Sequence, residues 1–193
     1  TDDPLTALRV GTDLQAGHLD IVGMLLLSCD TLGDGLEVLT EYAPIIGDNA
    51  HFEVAALGAH VQLRYVPGYV LHQQQRVEAT LGCVVSLARW MTSGRFRARE
   101  VLLAHAARTD PVAYEALLGC PVRFGQPVNA VCMDACELNH ALVQAESTLQ
   151  QHLRALADGV LASLAQDGTS ARVQRLIRAH PRWGKERIAE QLG

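Results

Sequence analysis

The sequence predicts an α+β fold in which helices pack on a small mixed or antiparallel sheet, continuing into a helical linker and two short basic helices. Three observations lead there. Apolar residues recur at three-and-four spacing in long stretches, as amphipathic helices require. Short alternating or apolar runs bounded by Gly and Pro lie between them and suit strands. Those runs are too sparse for an all-β barrel, and no internal repeat or low-complexity tract suggests another architecture. With 193 residues, 49% apolar and 19% charged, the chain can bury one sizeable core and carries too few charges to read as disordered.

Residues 19–29 are apolar and fit either a buried strand or a short buried helix, because periodicity does not separate the two over so short a run. Thr31 begins a helix, with Asp34 at the capping-box position; Leu36, Leu39 and Ile46 follow until Pro44 and Gly47 close it. Residues 52–57 and 60–66 form a hairpin pattern across Gly58 and Ala59, with Val61, Leu63 and Tyr65 alternating against Gln62 and Arg64. From about 71 to 93, Val77, Leu81, Val84, Val85, Ala88 and Met91 mark a long amphipathic helix that Gly94 ends. Val101, Leu102 and Leu103 suit a buried strand. Asp110 then caps a short helix with Pro111 at its first position and Gly119 at its end. Val122–Phe124 and Asn129–Met133 read as extended, and Asp134 with Glu137 as the cap of a last long helix over about 135–165, with room for a break. Residues 166–169 read as a linker, so the domains are 1–165 and 166–193.

The formal charge is −5, but it is unevenly spread. Residues 169–193 hold six basic and two acidic side chains, leaving the tail at +4 and the body at −9. An acidic body with a basic terminus suits an appendage that faces a polyanion. In that tail, Thr169 or Ser170 can cap a helix with Val173, Leu176 and Ile177 inward and Arg172, Arg175 and Arg178 outward. His180 and Pro181 stop it, Gly184 opens a second helix burying Ile188, Ala189 and Leu192, and Gly193 sits where the turn of a helix-turn-helix falls. An ordinary pair of surface helices with solvated arginines is the competing reading. No apolar run approaches the roughly 18–20 residues of a membrane span. Five cysteines without paired spacing fit reduced thiols in a cytoplasmic protein.

At Val173–Gly193, the residues Leu176, Ile177, Pro181, Ile188, Ala189, Leu192 and Gly193 resemble the opening of the DNA-binding module of AraC/XylS-type bacterial transcription regulators. Two stretches of the body agree: Thr31-Leu32-x-Asp34-Gly35-Leu36-x-x-Leu39-x-x-Tyr42, and Tyr114-x-x-x-Leu118-Gly119-x-Pro121-Val122-x-Phe124. They are similar to the arabinose-binding-type N-terminal domain of the branch that includes ornithine-utilisation and virulence regulators. The resemblance implies an N-terminal domain that senses an effector, mediates dimerisation, or both, followed by a C-terminal domain that binds promoter DNA through two helix-turn-helix motifs. On that plan the chain stops before the first recognition helix and is expected to lack sequence-specific DNA binding. Arg172, Arg175 and Arg178 would retain only weak, salt-sensitive attraction to phosphates.

Chemistry-bearing constellations are few. Cys132, Cys136 and His140 have the i, i+4, i+8 spacing of three soft ligands on one helix face, the basis of a thiol or metal sensor. Core packing of cysteine, with Cys132 in a strand, is the alternative, and no metal or cofactor is expected. His105 with Asp110, or Asp134 with Glu137, do not make a catalytic set without a nucleophile and an oxyanion or metal site, and G-x-S-x-G, H-E-x-x-H, P-loop and dinucleotide fingerprints are absent from the sequence. A non-enzymatic role is therefore expected, with a small-molecule enzyme as the rival. An effector pocket needs an apolar wall with a few polar groups. Tyr42, Arg64, Tyr65, Arg89, Trp90, His105, Tyr114 and Phe124 are the candidates, each equally open to core or surface roles. On the late helix, Leu142, Leu149 and Leu156 recur every seven residues, with Leu153 and Val160 between. The seam serves self-packing or a homodimer equally well; the family tips it to the dimer, whose two-fold axis would set two DNA-binding domains on paired half-sites.

Overall fold

A computed structural model describes residues 3–47, 51–68 and 70–167, and beyond them positions 173, 176–177, 180 and 183–187. Three helices open the chain: α1 (Thr6–Asp13), then α2 (Asp20–Ser28) after a 3-10 turn at Ala16–Leu19, and α3 (Leu32–Ile46). The hairpin β1 (His51–Leu57) and β2 (His60–Val66) leads into the long α4 (Gln73–Met91). The strand β3 (Glu100–Leu102), the helix α5 (Pro111–Leu118), and the strands β4 (Val122–Arg123) and β5 (Ala130–Asp134) follow. A 3-10 turn at Ala135–Asn139 and α6 (Ser147–Asp167) complete the described elements.

The sheet is mixed, in the order β1-β2-β5-β3-β4, antiparallel throughout except for the parallel pair β3/β4. Register sets its faces. Leu63 pairs with Val131, Val131 with Val101, and Val101 with Val122, so these four stand on one side with Val61, Tyr65 and Met133 and build the main core. Gln62, Cys132 and Glu100 align on the opposite side, where Leu102, Ala130 and Cys132 make a small separate cluster. Helices therefore cover one face, the α+β arrangement expected from sequence.

Local signals set most boundaries. Residues 19–29 resolve as helix: all but the two end residues, Leu19 and Cys29, belong to α2, which buries Val22, Leu25 and Leu26. The Thr31 hydroxyl accepts from the Asp34 amide at 3.2 Å while Asp34 Oδ2 accepts from the Thr31 amide at 3.0 Å, a reciprocal capping box. Pro44 lies in the last turn of α3 and Gly47 follows its end. Gly58 takes φ +66° in the two-residue hairpin turn. Asp110 accepts from the Val112 amide at 3.0 Å to cap α5, and Gly119 at φ +62° ends it in the left-handed conformation.

The last stretch departs from expectation. Instead of one helix over 135–165, the chain makes a 3-10 turn at Ala135–Asn139, continues without helix through a further turn at 143–144, and starts α6 only at Ser147. Tertiary pairing wins over helical spacing here: the Leu32 amide donates to the His140 carbonyl at 2.9 Å, and the Leu142, Val143 and Glu146 amides donate to the carbonyls of Asp30, Met91 and Ser28 at 3.0 Å each. Asp134 and Glu137 do not form a capping pair. Asp134 Oδ1 contacts His60 Nδ1 at 2.8 Å and Arg99 at 3.3 Å, while Glu137 accepts from the Arg97 amide. The carboxylate that starts α6 is Glu146, which accepts from the Thr148 and Leu149 amides at 3.0 and 2.6 Å.

In the basic tail, Val173, Leu176, Ile177 and Lys185–Arg187 are helical, and the His180 and Trp183 rings stack at 3.9 Å. Arg172, Arg175 and Arg178, and the expected cap and turn positions 169–170, 181 and 188–193, lie outside the described residues.

Candidate functional site

The two long helices that follow the cap at Thr31 and the hairpin each carry an apolar stripe directed at the other. On α3 it is Leu32, Gly35, Leu36, Leu39, Ala43 and Ile46; on α4 it runs Arg76, Thr80, Cys83, Val84, Leu87, Ala88 and Met91. The stripes do not interdigitate. They are the long walls of a cavity of about 420 Å³, with Leu14, Leu19 and Leu26 from the first helices and Phe52 and Tyr65 from the hairpin completing it. α3 packs instead on α2, β1 and α6, and α4 packs on α1. The helices run antiparallel: a Cβ added to Gly35, in the first turn of α3, would sit 3.7 Å from Met91 Cε at the end of α4. Met91 thus packs beside Gly35 at one end of the space. A largely apolar concavity of this volume with a few polar groups is the usual form of a small-molecule site.

Of the eight effector candidates, Tyr65 alone is among the described lining residues, its ring 5.2 Å from that of Phe52. Tyr42 is buried on the other side of α3, where its hydroxyl donates to Asp158 Oδ1 of α6 at 2.5 Å. Burial first, then the bond to Asp158, pushes its pKa up to about 12. Arg64 Nε donates to Gln62 Oε1 at 3.1 Å. Arg89 donates to the Leu118 carbonyl and so satisfies the C-terminal end of α5. Trp90 is exposed and borders a second, smaller hollow with Leu142 and Val143.

The remaining three candidates meet around a residue that sequence spacing did not single out. Glu78, on the buried side of α4, receives the Tyr114 hydroxyl at 3.2 Å, and both its oxygens accept from Arg108, which also donates to the Pro4 carbonyl at 2.5 Å. His105 stands with Nε2 3.5 Å from Glu78 Oε1 and Nδ1 2.8 Å from the Ala106 carbonyl. The Phe124 ring covers the group, 4.9 Å from Tyr114 and 5.9 Å from His105. The bond to Glu78 raises the Arg108 pKa, and burial raises that of Tyr114. The cluster ties α1, α4 and α5 together rather than facing the cavity. A charged residue three positions before Leu81 and seven before Val85, on the apolar side of a helix, was its signal in the sequence.

The heptad seam divides. Leu142 lies in the non-helical segment before α6 and is buried near Gly35. Leu153, with Ala157, is buried against the domain. Leu149, Leu156 and Val160 form an exposed line beside them, 47%, 61% and 39% accessible, extended by Leu164. Cys132 is buried on β5 and Cys136 exposed on the following turn, so with His140 they share no helix face. Among the described residues no cluster of three His, Cys, Asp or Glu could hold a metal ion. No helix among them is long and apolar enough to cross a membrane.

The described residues thus form a largely apolar, helix-walled cavity beside a mixed sheet covered on one face, the form of a regulatory domain's small-molecule concavity. The family model described as the arabinose-binding domain of AraC transcription regulators, N-terminal, matches residues 1–142, and the chain belongs to that family: it is the regulatory domain of an AraC-type transcription regulator. The ornithine utilization regulator of Pseudomonas aeruginosa is 23% identical over 182 residues, covering 93% of this chain and 54% of that protein. The chain therefore spans about half the length of this curated relative. The crystal structure of the transcriptional regulator CdpR from Pseudomonas aeruginosa shares the fold, with a TM-score of 0.70 and 17% identity over 96% of this chain and 62% of that one. The two body motifs that resembled the family supply the Thr31–Asp34 cap, the Gly35 approach to Met91, the Tyr42 bond to α6, and the Tyr114–Phe124 contact over Glu78.

Proposed function

We infer that the chain is the effector-sensing and dimerising part of a regulator whose promoter recognition resides in a helix-turn-helix portion beginning after about residue 166. The carrying observation is the cavity between α3 and α4, whose α3 wall is joined on its other side to α6 through Tyr42 and Asp158. An effector that draws α3 and α4 together favours one position of α3, and the bond passes that bias to the helix leading toward the basic tail. The exposed line Leu149, Leu156 and Val160 suits a two-fold contact between α6 helices, which would hold two DNA-binding portions for paired half-sites. Arg172, Arg175 and Arg178 would add phosphate contacts. The role is non-enzymatic and cytoplasmic. In a regulator of the relatives' length carrying this domain, filling the cavity by Ala43→Phe is expected to abolish the transcriptional response to effector while leaving protein level unchanged. An unaltered response removes the cavity from the sensing mechanism.

A further inference from the structure

We propose that the surface around Trp90, at the end of α4, docks an acidic amphipathic helix of a partner protein. It is separate from the effector cavity and from the exposed line of α6. Trp90 stands between two hollows. On one side Leu27, Leu142, Val143 and Gln144 border a space of about 320 Å³, and on the other Thr12, Val85 and Leu117 border one of about 330 Å³. Trp90 is 55% accessible and Val143 61%, and Met24, one turn before Leu27 on α2, is exposed as well. A half-exposed tryptophan flanked by apolar recesses has the form of a protein-contact anchor, because its large ring gains most when a partner excludes water from it.

Charge selects the partner. Arg89 lines the second hollow and donates to the Leu118 carbonyl. Arg95 donates to the Thr92 carbonyl at 3.0 Å and to the Ala141 carbonyl at 2.6 Å, and Arg97 donates to the carbonyls of Gly94, which borders both hollows, and Phe96. These carbonyls fix the three side chains without neutralising them: among the described residues the arginine–carboxylate pairs fall on Arg9, Arg99, Arg108, Arg123 and Arg154. Glu137, the carboxylate beside Arg97, accepts from its amide at 2.8 Å and contacts His140 Nε2 at 3.1 Å. No acidic side chain is among the described residues that line either hollow. A partner's carboxylates therefore gain charge-assisted bonds here. A second copy related by a two-fold axis would bring the same arginines face to face, and the chain's own tail, +4 over 169–193, would be repelled. Apolar recesses suit the i, i+3, i+4, i+7 anchors of a helix, whereas nucleic-acid phosphates gain nothing from them. The surface also adjoins the output helix: Gln144 lies three residues before Ser147, where α6 starts, and the Val143 amide donates to the Met91 carbonyl at 3.0 Å.

The test uses the 193-residue chain carrying Trp183→Phe, which leaves Trp90 as its single tryptophan. Three probes are titrated: an amphipathic helical peptide of about sixteen residues with leucines on one face and glutamates on the other, the same peptide with lysine in place of glutamate, and a DNA duplex of about 20 base pairs. The glutamate peptide is expected to shift Trp90 emission to the blue, to bind about ten-fold or more tighter than the lysine peptide, and to weaken as salt rises. In calorimetry Trp90→Ala is expected to weaken it about thirty-fold, and Arg95→Glu with Arg97→Glu to reverse the preference between the peptides. Circular dichroism of each variant excludes misfolding as the cause. In a regulator of the relatives' length, Trp90→Ala is expected to keep promoter occupancy and effector binding while transcriptional output is lost. Equal binding of the two peptides, binding of neither, or preference for the lysine peptide or the duplex overturns the proposal. So does a wild-type dimer that Trp90→Ala makes monomeric, which would give the surface to a second copy. Loss of promoter occupancy in Trp90→Ala also overturns it, because the surface would then serve the chain's own DNA-binding portion. All of these outcomes leave the α3–α4 cavity as the sensing site, which Ala43→Phe tests separately.

Discussion

The Tyr42 hydroxyl reaches across from α3 to Asp158 of α6 at 2.5 Å, and Arg154 pairs with Glu41 at 2.7 Å one turn earlier on α6. Tyr42→Phe removes the bond without changing shape and is expected to cost about 1.5 kcal/mol, the lower range for a bond to a charged acceptor, because Asp158 keeps access to water. The folded pKa of Tyr42, about 12, stands above its ordinary 10. Its contribution is therefore complete below pH 10 and lost as pH rises toward 12. Urea unfolding should show the difference between wild type and Tyr42→Phe shrinking over that window. A constant difference to pH 12 would refute the linkage. In an effector titration, Tyr42→Phe is expected to keep affinity and lose the effect on dimerisation.

The division of the α6 leucines separates stability from association. Leu149→Arg with Leu156→Arg changes exposed positions, so stability should shift by no more than about 0.5 kcal/mol per site while a dimer becomes monomeric in sedimentation velocity. Leu153→Ala cuts into the buried side and is expected to cost about 2–5 kcal/mol with the dimer retained at concentrations where the chain is folded. Wild-type chain that sediments as a monomer at all concentrations removes the dimer from the function.

Elements whose ends carry side-chain caps were legible in the sequence: Thr31 with Asp34, Asp110 with Pro111, and Gly58 and Gly119 at positive φ place α3, α5 and the hairpin within a residue or two. What failed was where distant pairing overrides local pattern. Residues 140–146 have helical spacing but are held out of the helix by Asp30, Ser28 and Met91, far away in sequence, which removed Leu142 from the seam. α1 buries only Leu8 and Gly11, too short a stripe for spacing to single out. The candidate site fared similarly. Aromatic and cationic residues were natural picks, yet the cavity is walled mostly by aliphatic side chains that any core would use, and only the failure of two stripes to interdigitate distinguishes it. Sequence periodicity records which residues turn inward, not whether the facing stripe arrives.

Thiol reactivity tests the sensor alternative. Burial raises the pKa of Cys29 and Cys83 to about 11, and raises those of Cys120 and Cys132 as well. Cys136 is exposed. Iodoacetamide at pH 8, read by mass spectrometry, is expected to label Cys136 on the folded chain and the other four only after denaturation. Rapid joint labelling of Cys132 and Cys136, or their oxidation to a disulfide without unfolding, would restore the thiol sensor.

Glu78 and Arg108 are expected to act as one unit. The Glu78 side chain is fully buried and serves Arg108 and Tyr114 together, so Glu78→Ala leaves a guanidinium with the Pro4 carbonyl as its partner and the Tyr114 hydroxyl without an acceptor. Removing one member of such a pair costs about 3–5 kcal/mol, most of it the penalty of stranding the other. Arg108→Ala should cost a similar amount by exposing Glu78 to the reverse problem. The double variant should then cost less than the two single costs added, with a coupling of about 1.5 kcal/mol or more in a urea double-mutant cycle. Because the cluster holds the Pro4 segment against α4 and α5, these losses should be felt first at the N-terminus, as faster amide exchange in α1 than in the sheet. Additivity within about 0.5 kcal/mol would mean that the two residues stabilise the fold independently, and the cluster would then be a chance neighbourhood rather than a bolt across three helices.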